Sequence, residues 1–228
     1  MIYKHSLFAI KFQYQKMQHL PFPPVAFLLR PQFWLVLGVS LLALGQSLFG
    51  APERPTLGAA DAPISILEVR SFGCSHCQQF HEAIFPPLKQ QFIDTGKVSW
   101  SMLDTLTDPG EDATILRVAH CLHAQGLYWQ NNAFLFAHSD QRPAFLIFET
   151  EDLESVEMEA LQACLEADET EAYVQAQLAA VKELKITTLP TLILRKQRWD
   201  GATIELRIEG DTTVEAVRRK IAQLQQMR

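Results

Sequence analysis

Residues 64–85, ISILEVRSFGCSHCQQFHEAIF, leave the chain few ways to fold. The apolar, β-branched run at 64–69 reads as a strand. From Ser75 to about Thr95 apolar residues recur at helical spacing, and Pro86 and Pro87 predict a kink or restart within that helix. Only a short loop, Ser71, Phe72 and Gly73, separates strand from helix. KVSWSML (97–103) follows as a second strand. A strand, a helix and a second strand in this order form a parallel unit, because a parallel pairing needs a crossover of about this length. Cys74 stands at the point where strand gives way to helix, and Cys77 follows one turn later.

The rest of the chain adds a different texture. From about residue 112 to 185 three stretches carry helical spacing with few β-branched runs. Then TLILRK (191–196) and TIELRIE (203–209) read as a hairpin about the turn WDGA (199–202). TTVEAVRRKIAQLQQ (212–226) reads as a closing amphipathic helix capped by Thr212 or Thr213. The expected architecture is an α/β fold with a mixed sheet and an inserted helical block at about 112–185. APERPTLGAADAP (51–63) reads as a linker, and residues 64–228 as the folded domain. Trp100, Trp129 and 134–136 are expected in the core. His81, His120, His123 and His138 read as helix-surface or packing residues rather than ligands.

Charge separates the first 50 residues from the remainder. They hold Lys4, Lys11, Lys16 and Arg30 and no acidic residue, whereas residues 51–228 hold 16 Lys and Arg against 26 Asp and Glu, a net charge of −10. A body that acidic argues against nucleic-acid binding, which needs clustered basic side chains. FWLVLGVSLLAL (33–44) behind a basic leader, with ALG (43–45) after it, has the layout of a secretory signal. Residues 1–50 are therefore expected to be a signal that is cleaved, or one retained as a membrane anchor, with translation starting at Met1 or Met17. The folded part is then placed in the periplasm or on the extracytoplasmic face of a bacterial membrane, where disulfides form and persist.

Three readings of Cys74 and Cys77 are open: a metal site, a structural disulfide, and a disulfide that is made and broken. A zinc site usually takes four ligands in two close pairs, and the remaining cysteines, Cys121 and Cys164, are far apart in sequence. A disulfide across so short a loop stabilises little by chain entropy. The redox reading fits best. A sulfur at a helix start meets unpaired N–H groups and the positive end of the macrodipole, and His76 adds a nearby donor or positive charge. Each favours the Cys74 thiolate, and Cys77 can return to the same sulfur to resolve a mixed disulfide. Pro190, just before an apolar strand, is compatible with a cis bond that presents the preceding backbone to a partner.

ILEVRSFGCSHCQQF, TTLPTLIL and the helical block between them together resemble the DsbA-like branch of the thioredoxin superfamily, over about residues 57–228. The resemblance implies a thioredoxin fold, Cys74 as nucleophile, Cys77 as resolving thiol, and a cis Pro190 beside the pair. It implies that Leu189 offers its backbone to a substrate chain, and that Ser75 and Leu189 tune potential and substrate choice. Ser75 stands where DsbA proper has Pro, and Leu189 where Val is more usual. Glu68 matches the family's buried acid, which passes a proton to the second cysteine. Burial is expected to raise its pKa towards neutrality. In proteins of this branch a non-catalytic disulfide sometimes staples the insertion, so Cys121 and Cys164 are expected either to be bonded to each other or to be two free buried cysteines. The resemblance also implies reduced or misoxidised exported proteins as substrates, and a membrane redox partner of the DsbB or VKOR type. No cofactor or resident metal is expected. A reductase or isomerase on the same fold, and an exported metal-binding or chaperone module on the thioredoxin scaffold, are the alternatives.

Overall fold

The computed structural model describes residues 53–108, 113–139, 153 and 155–227. The expected signal or anchor at 1–50 lies outside them. Among the described residues no helix is long and apolar enough to cross a membrane.

Among the described residues five strands form one mixed sheet: β1 (Thr56–Leu57), β2 (Ile64–Arg70), β3 (Val98–Asp104), β4 (Thr191–Gln197) and β5 (Thr203–Glu209), in the order β1-β3-β2-β4-β5. β2 and β3 are parallel, with Glu68 opposite Met102, and the β2–β4 and β4–β5 pairs are antiparallel. The hairpin about residues 199–202 closes through Arg198 N–H donating to the Ala202 carbonyl at 2.8 Å. The linker expected at 51–63 is corrected in part. Thr56 and Leu57 pair antiparallel with Ser101 and Trp100 on the sheet edge, a strand too short to show any alternation. Its exit needs a glycine: Gly58 has φ +91°, and a Cβ there would lie 2.6 Å from the Val98 carbonyl oxygen.

The helix after β2 is one stretch over 75–93, here α1. Its α turns at Ser75–Gln79 and Phe85–Leu88 alternate with π turns at Phe80–Ile84 and Lys89–Ile93. Pro86 and Pro87 have no N–H to donate, so the wider turn before them is where the ladder adjusts. Between β3 and β4 lie α2 (Thr114–Ala124), α3 (Asn132–Ala137), α4 (Met158–Leu165) and α5 (Asp168–Glu183), and α6 (Val214–Gln226) closes the chain. The continuous spacing from 153 to 184 hides a break, because Glu166 and Ala167 separate α4 from α5. Thr213 caps α6, its Oγ1 accepting from Ala216 N–H at 3.2 Å.

Alternation along β2 decides what each face sees. Ile64 and Ile66 join the main core with Phe80, Leu88, Trp100 and Leu122, whereas Leu67 and Val69 join a smaller cluster with Leu103 and Ile193 beneath the C-terminal part of α5. Glu68 and Arg70 continue the first parity. Two charged side chains therefore point into the main core, and both are fully buried.

Candidate active site

Cys74 occupies the N-cap of α1 with extended backbone, φ −96° and ψ 112°. The loop before it is held locally: Cys74 N–H donates to the Ser71 carbonyl at 3.2 Å, and Gly73 N–H donates to Ser71 Oγ at 3.2 Å. Cys74 is half-buried, and its Sγ lies 4.0 Å from the Leu189 carbonyl oxygen. The Leu189–Pro190 peptide bond is cis. The Pro190 carbonyl accepts from Gly210 N–H at 2.8 Å, so the end of β5 steadies this loop. Both cysteines are free thiols here.

Cys77 is 0% exposed. Burial pushes its thiol well above the ordinary value, helped by its neighbour Cys74 and by the Glu68 charge. The two sulfurs are thus unequal: one faces the surface and a backbone acceptor, the other lies in the core. Ser75 and His76 are both exposed, and His76 Nδ1 lies 3.7 Å from Asp211 Oδ1.

Glu68 lies in the core near Cys77, but the expectation for its pKa is overturned. Burial alone would raise it, but His81, Arg70 and Trp100 outweigh that push, and its carboxyl sits below the usual carboxylate range. His81 Nε2–H donates to Oε1 at 2.8 Å, and Trp100 Nε1–H donates to Oε2 at 2.9 Å. His81 was expected on the surface or in packing. It packs among Phe80, Phe85 and Phe136, and it is also the buried partner of the acid, one turn below Cys77.

Arg70 was not anticipated. Its Nε–H donates to Asp104 Oδ1 at 3.0 Å, and its Nη2–H donates to Tyr128 Oη at 2.7 Å and to Asn132 Oδ1 at 2.6 Å. The guanidinium lies over the rings of Phe72 and Phe136, 4.6 and 4.9 Å from their centroids. Tyr128 Oη–H donates to Asp104 Oδ2 at 2.6 Å. One clue was in the sequence: if Glu68 faces the core, so does the residue two positions on.

Away from the pair, Cys121 and Cys164 are joined by a disulfide that ties α2 to α4. Among the described residues no three His, Cys, Asp or Glu side chains converge as metal ligands.

Comparison with known proteins agrees with this geometry. A family model described as Thioredoxin matches residues 51–210. Disulfide bond formation protein D of Bacillus subtilis is 36% identical over 53 residues, 23% of this chain and 24% of that protein. The chain spans about a quarter of the length of the first curated relatives it matches. Wolbachia pipientis alpha-DsbA1 superimposes with a TM-score of 0.64 at 24% identity, over 78% of this chain and 94% of the other. Oxidised BdbD of Bacillus subtilis gives 0.59 at 19% identity, over 77% and 96%. The fold is therefore the one DsbA proteins share, and the chain belongs to the thioredoxin family.

Proposed function

We propose that this protein is an exported thiol–disulfide oxidoreductase that introduces disulfides into other exported proteins through Cys74 and Cys77. The observation that carries this reading is the placement of a half-buried Cys74 at a helix start, 4.0 Å from the Leu189 carbonyl beside cis Pro190, with Cys77 buried one turn behind it.

The chemistry follows from that asymmetry. In the oxidised protein a substrate thiolate attacks Cys74 Sγ, the exposed end of the disulfide. The Cys74–Cys77 bond breaks and its electron pair goes to Cys77 sulfur. Burial makes a Cys77 thiolate costly, so that sulfur takes up a proton. A second substrate thiolate then attacks the substrate sulfur of the mixed disulfide. The substrate leaves with a new disulfide, and Cys74 leaves with the electron pair of the broken bond. Two electrons now sit on the pair. A membrane partner of the DsbB or VKOR type removes them and restores the disulfide. The basic, apolar N-terminal stretch supports placement outside the cytoplasm.

The reduction potential separates donor from reductase. The full chain is equilibrated in glutathione buffers, quenched by alkylation and digested, so that only the peptide holding Cys74 and Cys77 reports. A value near about −120 mV supports a disulfide donor, and one near about −250 mV supports a reductase.

A further inference from the structure

Glu68, His81, Asn132 and Arg70 form a chain of hydrogen bonds whose direction is set at one end. Arg70 can only donate, so the group facing its Nη2 must be the Asn132 oxygen, which lies 2.6 Å away. That orientation turns Asn132 Nδ2, a donor, towards His81 Nδ1 at 3.5 Å. Nδ1 must then be the bare, accepting nitrogen. The ring proton sits on Nε2, which donates to Glu68 Oε1 at 2.8 Å. Trp100, which can only donate, takes the other oxygen at 2.9 Å. Every link has one consistent polarity, and it ends in an unprotonated carboxylate in the core with Cys77. The groups facing His81 are the Glu68, Arg70 and Asp104 charges and the rings of Phe80, Phe85 and Phe136. Burial disfavours the imidazolium there.

We propose that Asn132 and His81 are positioning residues that hold Glu68 as a resting anion, so that the helical insertion sets the proton-accepting state of the acid serving Cys77. Asn132 opens α3 of the insertion, and Arg70 lies on central strand β2. The Asn132 amide therefore links the insertion by hydrogen bonds to both Arg70 and His81. This rests on the reading of Cys77 as the resolving thiol. When Cys77 attacks a mixed disulfide at Cys74, its proton passes to the Glu68 carboxylate, its sulfur bonds to Cys74 Sγ, and the substrate leaves with the electron pair as a thiolate.

The test begins with the ring itself. Long-range proton–nitrogen spectra of the labelled full chain, with His81→Gln identifying the His81 signals, should show a neutral Nε2–H tautomer at pH 7. Asn132→Asp keeps the shape and replaces the donor facing Nδ1 with an acceptor, so the same ring should become doubly protonated. A wild-type ring protonated on Nδ1, or a ring unmoved by Asn132→Asp, overturns the proposal whether or not the protein exchanges disulfides. The second reading is the pH profile of glutathione release from a Cys74–glutathione adduct. His81→Leu removes the donor and should add an inflection to the profile as Glu68 begins to titrate, with at least a tenfold change in rate at pH 7. His81→Gln, which retains an amide donor, should restore the wild-type profile. If His81 only fills space, both variants lower Tm and leave the profile in place. Absence of glutathione release in wild type would count against the resolving role and leave the ring assignment standing.

Discussion

Removing the Cys121–Cys164 disulfide measures how far the insertion depends on a covalent tie. The bridge closes a sequence separation of 43 residues. The loop-entropy relation gives roughly −13 cal/mol/K, which is about 4 kcal/mol at 25 °C. That is a large share of the roughly 5–15 kcal/mol by which ordinary domains are stable. The perturbation is Cys121→Ala with Cys164→Ala, and the assay is urea unfolding followed by fluorescence. With a slope of about 2 kcal/mol/M, the midpoint should fall by about 2 M. Cys121 is fully buried, and Thr170 Oγ1 lies 3.8 and 3.5 Å from the two sulfurs, so truncation also costs packing. Cys121→Ala alone also lacks the crosslink, and the difference between single and double variants isolates the packing change at Cys164. A loss below about 1 kcal/mol would show that the unfolded chain gains little freedom when the loop opens.

Stability should also fall with acid in two stages. Burial holds His81, His120 and His123 below the ordinary histidine value of 6.5, so the unfolded chain takes up protons that the native state refuses as pH drops below that value. Glu68 is held below the ordinary 4.5, and its contribution, present above that pH, is lost as pH falls further. Thermal melts between pH 7.5 and 3.5 check this, and a Tm that is flat or rises between 7.5 and 5.5 would contradict it. Arg70→Met should cost roughly 3–5 kcal/mol, because it strands the Asp104 charge without its cation. Adding Asp104→Leu should recover part of that loss in urea unfolding, and strictly additive losses would show that the two do not act as a pair.

Much of the fold was legible because its local signals agree. β5 runs over the residues its alternation marks, and α6 begins beside a threonine that caps it. Cys74, Cys77 and Pro190 could be read from their positions relative to strand and helix ends. What was not legible lies in long-range contacts. His81 has the spacing of a residue one turn from Cys77, but only the packing of α1 on the sheet shows that it meets Glu68, whose other oxygen Trp100 takes. The direction in which the Glu68 carboxyl moves depends on such contacts too. Burial was foreseeable from the strand, but the donors that outweigh it come from α1 and β3. Asn132 and Tyr128 come from the insertion, with no motif to mark them. Thr56 and Leu57 form too short a run to alternate.

Cys74 is the sulfur that exchanges with a partner, and Cys77 is the thiol that can return to close the disulfide on it. The most direct measurement is intact mass of the Cys77→Ser full chain after reaction with a peptide activated as a mixed disulfide, followed over time with excess thiol-free buffer, and compared with wild type. A peptide adduct should persist on Cys74 in the variant and be lost from wild type as the Cys74–Cys77 disulfide forms. Loss of the peptide from Cys77→Ser as fast as from wild type, or a persistent adduct in wild type, would contradict it.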